Sequence, residues 1–172
     1  LGGGAPDPDA EVEAIKREAL ILIASYAMPF EAHKPLWDTL DVGYFMRHDA
    51  TEIAWHTRQL SRHVGTGQSI VRARRSPVGE GLQVVVYTPD QADLFARICG
   101  YFDRAEFSIQ DARVHTASNG YALDTFQVTT QAPPEAAAGG LGAGGHARRG
   151  GQRPAGPLAD KTREFEFEGE RR

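Results

Sequence analysis

The 172-residue sequence predicts an α+β fold: a helical segment, then an incomplete ferredoxin-like βαββ unit, then a disordered low-complexity tail. Three observations predict it. Apolar residues recur at helical spacing in the first third of the chain, residues 82–128 switch between strand-like alternation and one helical period, and after Gln131 large apolar residues give way to Gly, Ala, Pro and Arg.

The segment from Glu11 to Met28 places Val12, Ile15, Ala19, Leu22, Ile23 and Tyr26 on one helical face, and Pro29 sets its end. Pro35 to Leu40 reads as a short helix with proline in its first turn, where a missing N–H is harmless, anchored by Trp37 and Leu40. A third helix opens at Asp49, with Glu52 three residues on in an acidic capping box. Ile53, Thr57, Leu60 and Val64 line one of its faces, and Gly65 and Gly67 stop it.

Ser69 to Arg74 alternates, with Ile70 and Arg72 on one face and Val71 and Ala73 on the other, and the Ser-Pro-Val-Gly-Glu-Gly turn pairs it with the more apolar strand Leu82 to Thr88. Pro89 and Asp90 close that strand. A helix from Gln91 to about Ala105 then buries Leu94, Phe95, Ile98, Cys99 and Phe102, and strands Phe107 to Thr116 and Tyr121 to Thr129 follow, joined at Ser118-Asn119-Gly120. A full split βαβ unit continues with a second helix and a fourth strand. Here only Glu164 to Glu168, with Phe165 and Phe167 between glutamates, offers a late edge strand, and Gln131 to Pro157 cannot bury enough surface to offset chain entropy. The organisation expected is a flexible start (1–10), a helical segment (11–64), a truncated βαββ domain with its extra strand (69–130) and a tail (131–172).

Nineteen basic and 23 acidic side chains give a net charge of −4, which argues against a phosphate-backbone binder. The single cysteine, Cys99, excludes an internal disulfide and suits a reducing, cytoplasmic compartment. The longest apolar run, Ala19 to Met28, is far short of the roughly 20 residues that span a bilayer. The Leu-Gly-Gly-Gly start resembles neither an initiator nor a signal peptide, as expected for a piece of something longer.

Chemistry concentrates at Thr88-Pro89-Asp90-Gln91-Ala92-Asp93-Leu94-Phe95. First-turn amides around Gln91 to Leu94 have the polarity to hold a carboxylate, with Asp90 positioned for an ammonium group. The plainer reading makes Asp90 an N-cap and Asp93 a favourable first-turn acid. His48-Asp49 invites comparison with metal phosphohydrolases, but His33, His56 and His63 have no short ligand spacing and Asp49 already serves as a cap. No phosphate loop or nucleophile elbow occurs. Arg72, Arg74 and Arg75 form a small basic stripe beside Arg148, Arg149 and Arg153; Ala-Arg-Arg-Gly-Gly is faintly like RNA-binding tails, and a solvated strand face and a disordered tail explain both at least as well.

Tyr44 to His63 (YFMRHDATEIAWHTRQLSRH) and Glu80 to Val128 (EGLQVVVYTPDQADLFARICGYFDRAEFSIQDARVHTASNGYALDTFQV) resemble the bacterial PII uridylyltransferase/uridylyl-removing enzymes, in the right order and separation, and the likeness runs from about Ala19 to Val128. It implies that Glu11 to Val64 is the helical end of an HD region and Glu80 to Val128 the first of two ACT domains. Such enzymes add UMP to the PII signal protein when glutamine is scarce and remove it when glutamine is plentiful. Both activities use Mg or Mn, in domains whose motifs this sequence lacks, so the resemblance implies no cofactor and no catalytic residue here.

The same resemblance implies glutamine as effector, PII as substrate of the full enzyme, and ACT–ACT pairing. Carried over, the ligand residues are Asp90, Gln91, Ala92, Asp93 and Leu94 of the turn, with Ile109, Gln110 and Asp111 of the second strand, often supplied by a partner module. Many ACT turns read Asp-x-Pro-Gly-Leu; here Ala92 and Asp93 stand where Pro and Gly would, which removes the closest backbone approach. Two rivals stand beside the sensor: a ligand-free pairing module whose open sheet edge docks on another domain, and a metal-dependent HD phosphohydrolase. The abrupt turn to GC-rich-codon residues after Val128 suggests a shifted reading frame or a degraded gene end, testable by translating the DNA in its other frames.

Overall fold

A computed structural model describes Gly4 and residues 7–131. The expected tail, the strand Glu164 to Glu168 and the basic residues Arg148, Arg149 and Arg153 lie outside the described residues. Helices α1 (Pro8–Ala24), α2 (Lys34–Trp37), α3 (Val42–Arg47) and α4 (Ala50–Leu60) lead through a 3-10 turn, Ser61–His63, into β1 (Ile70–Arg75), β2 (Leu82–Pro89), α5 (Leu94–Arg104), β3 (Phe107–Arg113) and β4 (Tyr121–Thr130). The strands form one antiparallel sheet in the order β1-β2-β4-β3.

Period-two alternation sends the residues of β2 and β4 into two separate cores. Leu82, Val84, Val86, Phe126 and Val128 join Phe102 and Phe107 beneath α5, whereas Ile70, Val85, Tyr87 and Leu123 join Leu36, Trp37, Tyr44, Phe45, Ile53 and Leu60 of the helical layer. The sheet is thus the middle of three layers, and β2 is buried from Leu82 to Thr88.

Local sequence explains most element boundaries. α1 starts earlier than expected because Asp7 caps it, accepting from the Asp9 amide, with Pro8 in its first turn. It ends at Ala24 rather than Met28, since the Ser25 hydroxyl and the Ser25 and Tyr26 amides turn back onto Leu22 and Ile23 carbonyls. α3 was not anticipated; Asp41 caps it by accepting from the Tyr44 amide at 3.1 Å. Asp49 caps α4 as expected, accepting from the Glu52 amide at 2.8 Å, but the Glu52 side chain does not reach back. It turns to the sheet instead.

That turn creates the principal polar contact between layers. Arg113 of β3 donates from both terminal nitrogens to Glu52, at 2.9 and 2.7 Å, and also to the Arg47 carbonyl at 2.6 Å. Gln83 of β2 donates to Glu52 as well and accepts from Arg74 at 2.8 Å, while the Arg74 guanidinium lies 4.4 Å from the Trp55 ring centre. Arg74 is therefore not part of a solvated strand face. It faces the helical layer because the β1 residues that share Ile70's side of the sheet all do.

The βαββ unit formed by β2, α5, β3 and β4 has β4 between β2 and β3, which leaves one side of β2 open. β1 pairs there, from Ile70 opposite Tyr87 to Arg75 opposite Leu82. The expectation of an edge left bare by a missing fourth strand is corrected: the upstream strand covers it, and the sheet's edges are β1 and β3. Gly81 makes the tight return possible. It sits at φ +98°, and a Cβ there would collide with the Val128 carbonyl.

The β3–β4 turn uses Gly120 at φ +80°, while Asn119 keeps negative φ and works through its side chain, accepting from the Tyr121 amide at 3.3 Å. α5 is shorter than expected at its start. Of its residues only Phe102 is fully buried; Leu94, Ile98 and Cys99 are half-buried and Phe95 is exposed, because no second helix packs beside α5 among the described residues.

Removing Glu52 strands a partly buried Arg113 and a buried Gln83. Glu52→Ala is expected to lower unfolding free energy by about 2–3 kcal/mol in urea denaturation, the low end for broken buried pairs because Arg113 keeps some water. A loss no larger than that of a surface control would show that the pair is dispensable.

Three histidines also lie buried at this interface. Burial holds His48 at about 4 and pushes His56 and His115 below the usual imidazole value. His56 is clasped by the Tyr44 hydroxyl at 2.6 Å and the Thr125 hydroxyl at 3.2 Å. Below pH ~6.5 the unfolded chain takes up protons that the folded chain refuses, so these groups remove stability as pH falls towards 4. Asp124, on the opposite face of the sheet, has the reverse sign: burial raises it to about 6, so it returns some stability as pH falls through 6. Three outweigh one. The thermal midpoint is expected to drop between pH 7 and pH 5, less steeply in His56→Gln; a flat profile would contradict burial of the neutral rings.

Candidate functional site

Small residues on the sheet make room under the first turns of α5. Ala112 and Ala122, with Val114 and Thr116, floor a cleft of about 520 Å³ roofed by Leu94, Phe95 and Ala96 and rimmed by Asp90, Gln91 and Asp93. Its volume is within the usual range for small-molecule sites. Phe95 stacks on Phe126 with ring centres 6.1 Å apart, which fixes one wall.

Four of the five turn residues expected to bind ligand line this cleft: Asp90, Gln91, Asp93 and Leu94. Ala92 is exposed beside them and is not among the lining residues. The Asp90 amide is already engaged, donating to the Gly120 carbonyl at 2.9 Å. Asp90 is also not the helix cap. That position belongs to Asp93, a left-handed residue at φ +62° whose side chain caps no amide. Asp93 occupies the conformation that glycine adopts most easily, so the ACT-like turn survives the loss of its glycine at some backbone cost. The first-turn amides of α5 consequently have no side-chain acceptor from their own cap, and the Leu94 amide donates to the Gln91 carbonyl at 3.3 Å instead.

Ile109, Gln110 and Asp111 lie elsewhere. They surround an irregularity in the β3–β4 register on the sheet's edge strand. Gln110 donates to the Thr129 hydroxyl at 3.1 Å, and Asp111 lies 3.2 Å from the Arg113 Nε. Within one copy of the chain they are not brought to the cleft.

Asp124 is the residue that sequence reading missed. It projects from β4 on the α5 side, only 4% exposed, into the cleft floor. Its sole hydrogen bond among the described residues is a long one, 3.3 Å from the His115 amide. Burial, opposed by that bond and reinforced by the charge of Asp90, raises its carboxyl to about 6. A signal was present: Asp124 interrupts the apolar alternation Ala122-x-Asp124-x-Phe126-x-Val128 at a position facing inward.

A larger groove, about 760 Å³, runs along the other flank of α5 between Gly67, Val71, Val86, Ile98 and Tyr101. Its buried polar group is already satisfied, Thr88 Oγ1 lying 2.7 Å from Ser69 Oγ. His48 is 3% exposed, with Nδ1 2.8 Å from the Tyr44 carbonyl, and Asp49 serves α4 as its cap. Among the described residues no group of three or more His, Cys, Asp or Glu side chains is placed to hold a metal ion. No helix among them is long and apolar enough to cross a membrane.

Residues 7–59 match the family model described as the uridylyltransferase GlnD fifth domain. The chain is 59% identical over 128 residues to a bifunctional uridylyltransferase/uridylyl-removing enzyme of Ralstonia nicotianae, an alignment covering 74% of this chain and 15% of that protein. It is 57% identical over 129 residues to proteins of the same name from Burkholderia mallei and Burkholderia thailandensis, covering 75% of this chain and 15% of each. The chain thus spans a small part of the length of these relatives. No solved structure matches.

Proposed function

Because the chain belongs to the bifunctional uridylyltransferase/uridylyl-removing enzyme family, we propose that it is a regulatory segment in which an ACT-type module senses glutamine. The observation that carries this reading is the cleft beneath α5, a space sized for an amino acid that is lined both by the start of a helix whose cap residue bonds no amide through its side chain and by the carboxylate residues Asp90, Asp93 and Asp124. Uncapped amides at the positive end of a helix favour the ligand's carboxylate, and the acids favour its ammonium group.

In this proposal, catalysis, divalent metal and recognition of PII belong to other parts of the full enzyme. Glutamine acts by binding one arrangement of the module more tightly than another, and that differential affinity caps the size of the response. The route to the helical layer runs through β3, whose far end carries Arg113 and hence Glu52 of α4. In the same reading Ile109, Gln110 and Asp111, which lie on an edge strand and outside the cleft, serve a neighbouring module's site.

That same edge supports a second reading, in which β3 pairs with another ACT-type domain and no ligand binds. Isothermal titration of the 172-residue chain with L-glutamine separates the two. Saturable heat that weakens in Asp90→Ala supports the sensor. Absence of heat, with self-association in sedimentation that is lost on placing proline at Gln110, supports the pairing module instead.

A further inference from the structure

We propose that Asp124 is the specificity residue of the cleft: its carboxylate receives the ligand's ammonium group. This inference rests on the reading of the cleft as an amino-acid site and assigns its polarity. A carboxylate that is almost wholly buried ordinarily has several short hydrogen bonds or a paired cation. Asp124 has one amide contact, at 3.3 Å, and no cation partner among the described residues.

Neither Thr116 nor Gln91, the donors that share the cleft, makes a hydrogen bond to Asp124 among the described residues. Ala112, Val114 and Ala122 cannot donate from their side chains, and Asp90, on the same cleft, adds like charge. The arrangement is costly in the free protein and becomes favourable only when a donor of positive charge enters. A primary ammonium supplies up to three N–H donors and the charge together.

The opposite wall completes the polarity. The Leu94 amide is taken by the Gln91 carbonyl, but the next amides of the first turn, those of Phe95 and Ala96, are not capped by Asp93, so a zwitterion lies with its carboxylate towards α5 and its ammonium on the sheet floor. The acids on the rim and floor also disfavour a dicarboxylate without that ammonium. Ligands of the class accepted are therefore α-amino acids, and a carboxylate lacking the amino group is excluded by an uncompensated buried charge.

The test uses the 172-residue chain and Asp124→Asn, titrated with L-glutamine, a panel of other L-amino acids and 4-carbamoylbutanoate, which is glutamine without its amino group. Asn is isosteric and removes a poorly solvated charge, so the variant should unfold at a temperature equal to or above that of the parent, which shows that it is folded. Glutamine binding is expected to weaken roughly tenfold to a hundredfold in the variant, the scale of a hydrogen bond to a charged group. 4-Carbamoylbutanoate should bind the parent poorly, and the discrimination between it and glutamine should shrink in the variant, which lacks the buried charge. If glutamine binds parent and variant equally, the assignment of Asp124 is overturned while the sensor reading stands. If another amino acid binds in an Asp124-dependent way and glutamine does not, the assignment stands and glutamine falls. If no amino acid binds the parent, both are overturned.

Discussion

The ion pair between Glu52 and Arg113 ties together parts of the chain 61 residues apart, and the architecture follows from its placement. Glu52 belongs to a helix packed on one face of the sheet, and Arg113 ends the strand farthest from the helix–sheet connection. A buried pair contributes little net stability in itself but penalises every arrangement in which one partner is left alone. With Gln83 and Arg74 attached to it, the pair selects one register of helix on sheet.

Around that fastening the sheet is covered on both faces, by four helices on one side and by α5 on the other. The covers are unequal. The helical layer inserts Leu36, Trp37, Tyr44, Phe45, Ile53 and Leu60, whereas α5 commits Phe102. The side with the thinner cover is where both clefts open.

Much of this architecture was legible because it is written in local chemistry. The caps Asp7, Asp41 and Asp49 and the periodicity of β2 and β4 are short-range features, although the first two caps went unread because each precedes a helix start displaced from the apolar pattern. Long-range partners were not legible. Glu52 looks like half of a capping box until a sheet 31 residues away provides Gln83. Arg74 looks solvated until Trp55 is placed beneath it. The turn at Asp90 was located correctly, yet its chemistry shifted by three residues when Asp93 took the capping position. Asp124 escaped notice because a lone acid in a strand reads as outward-facing, although it shares the parity of Phe126 and Val128, which enter the core beneath α5.

Gln91, Leu94 and Ala96 face both hollows, one on each flank of α5. Phe95 on Phe126 and Phe102 in the core seat the helix at both ends of this shared stretch. The same three side chains thus bound two spaces at once, and neither hollow can be reshaped by substitution at Gln91, Leu94 or Ala96 without altering the other.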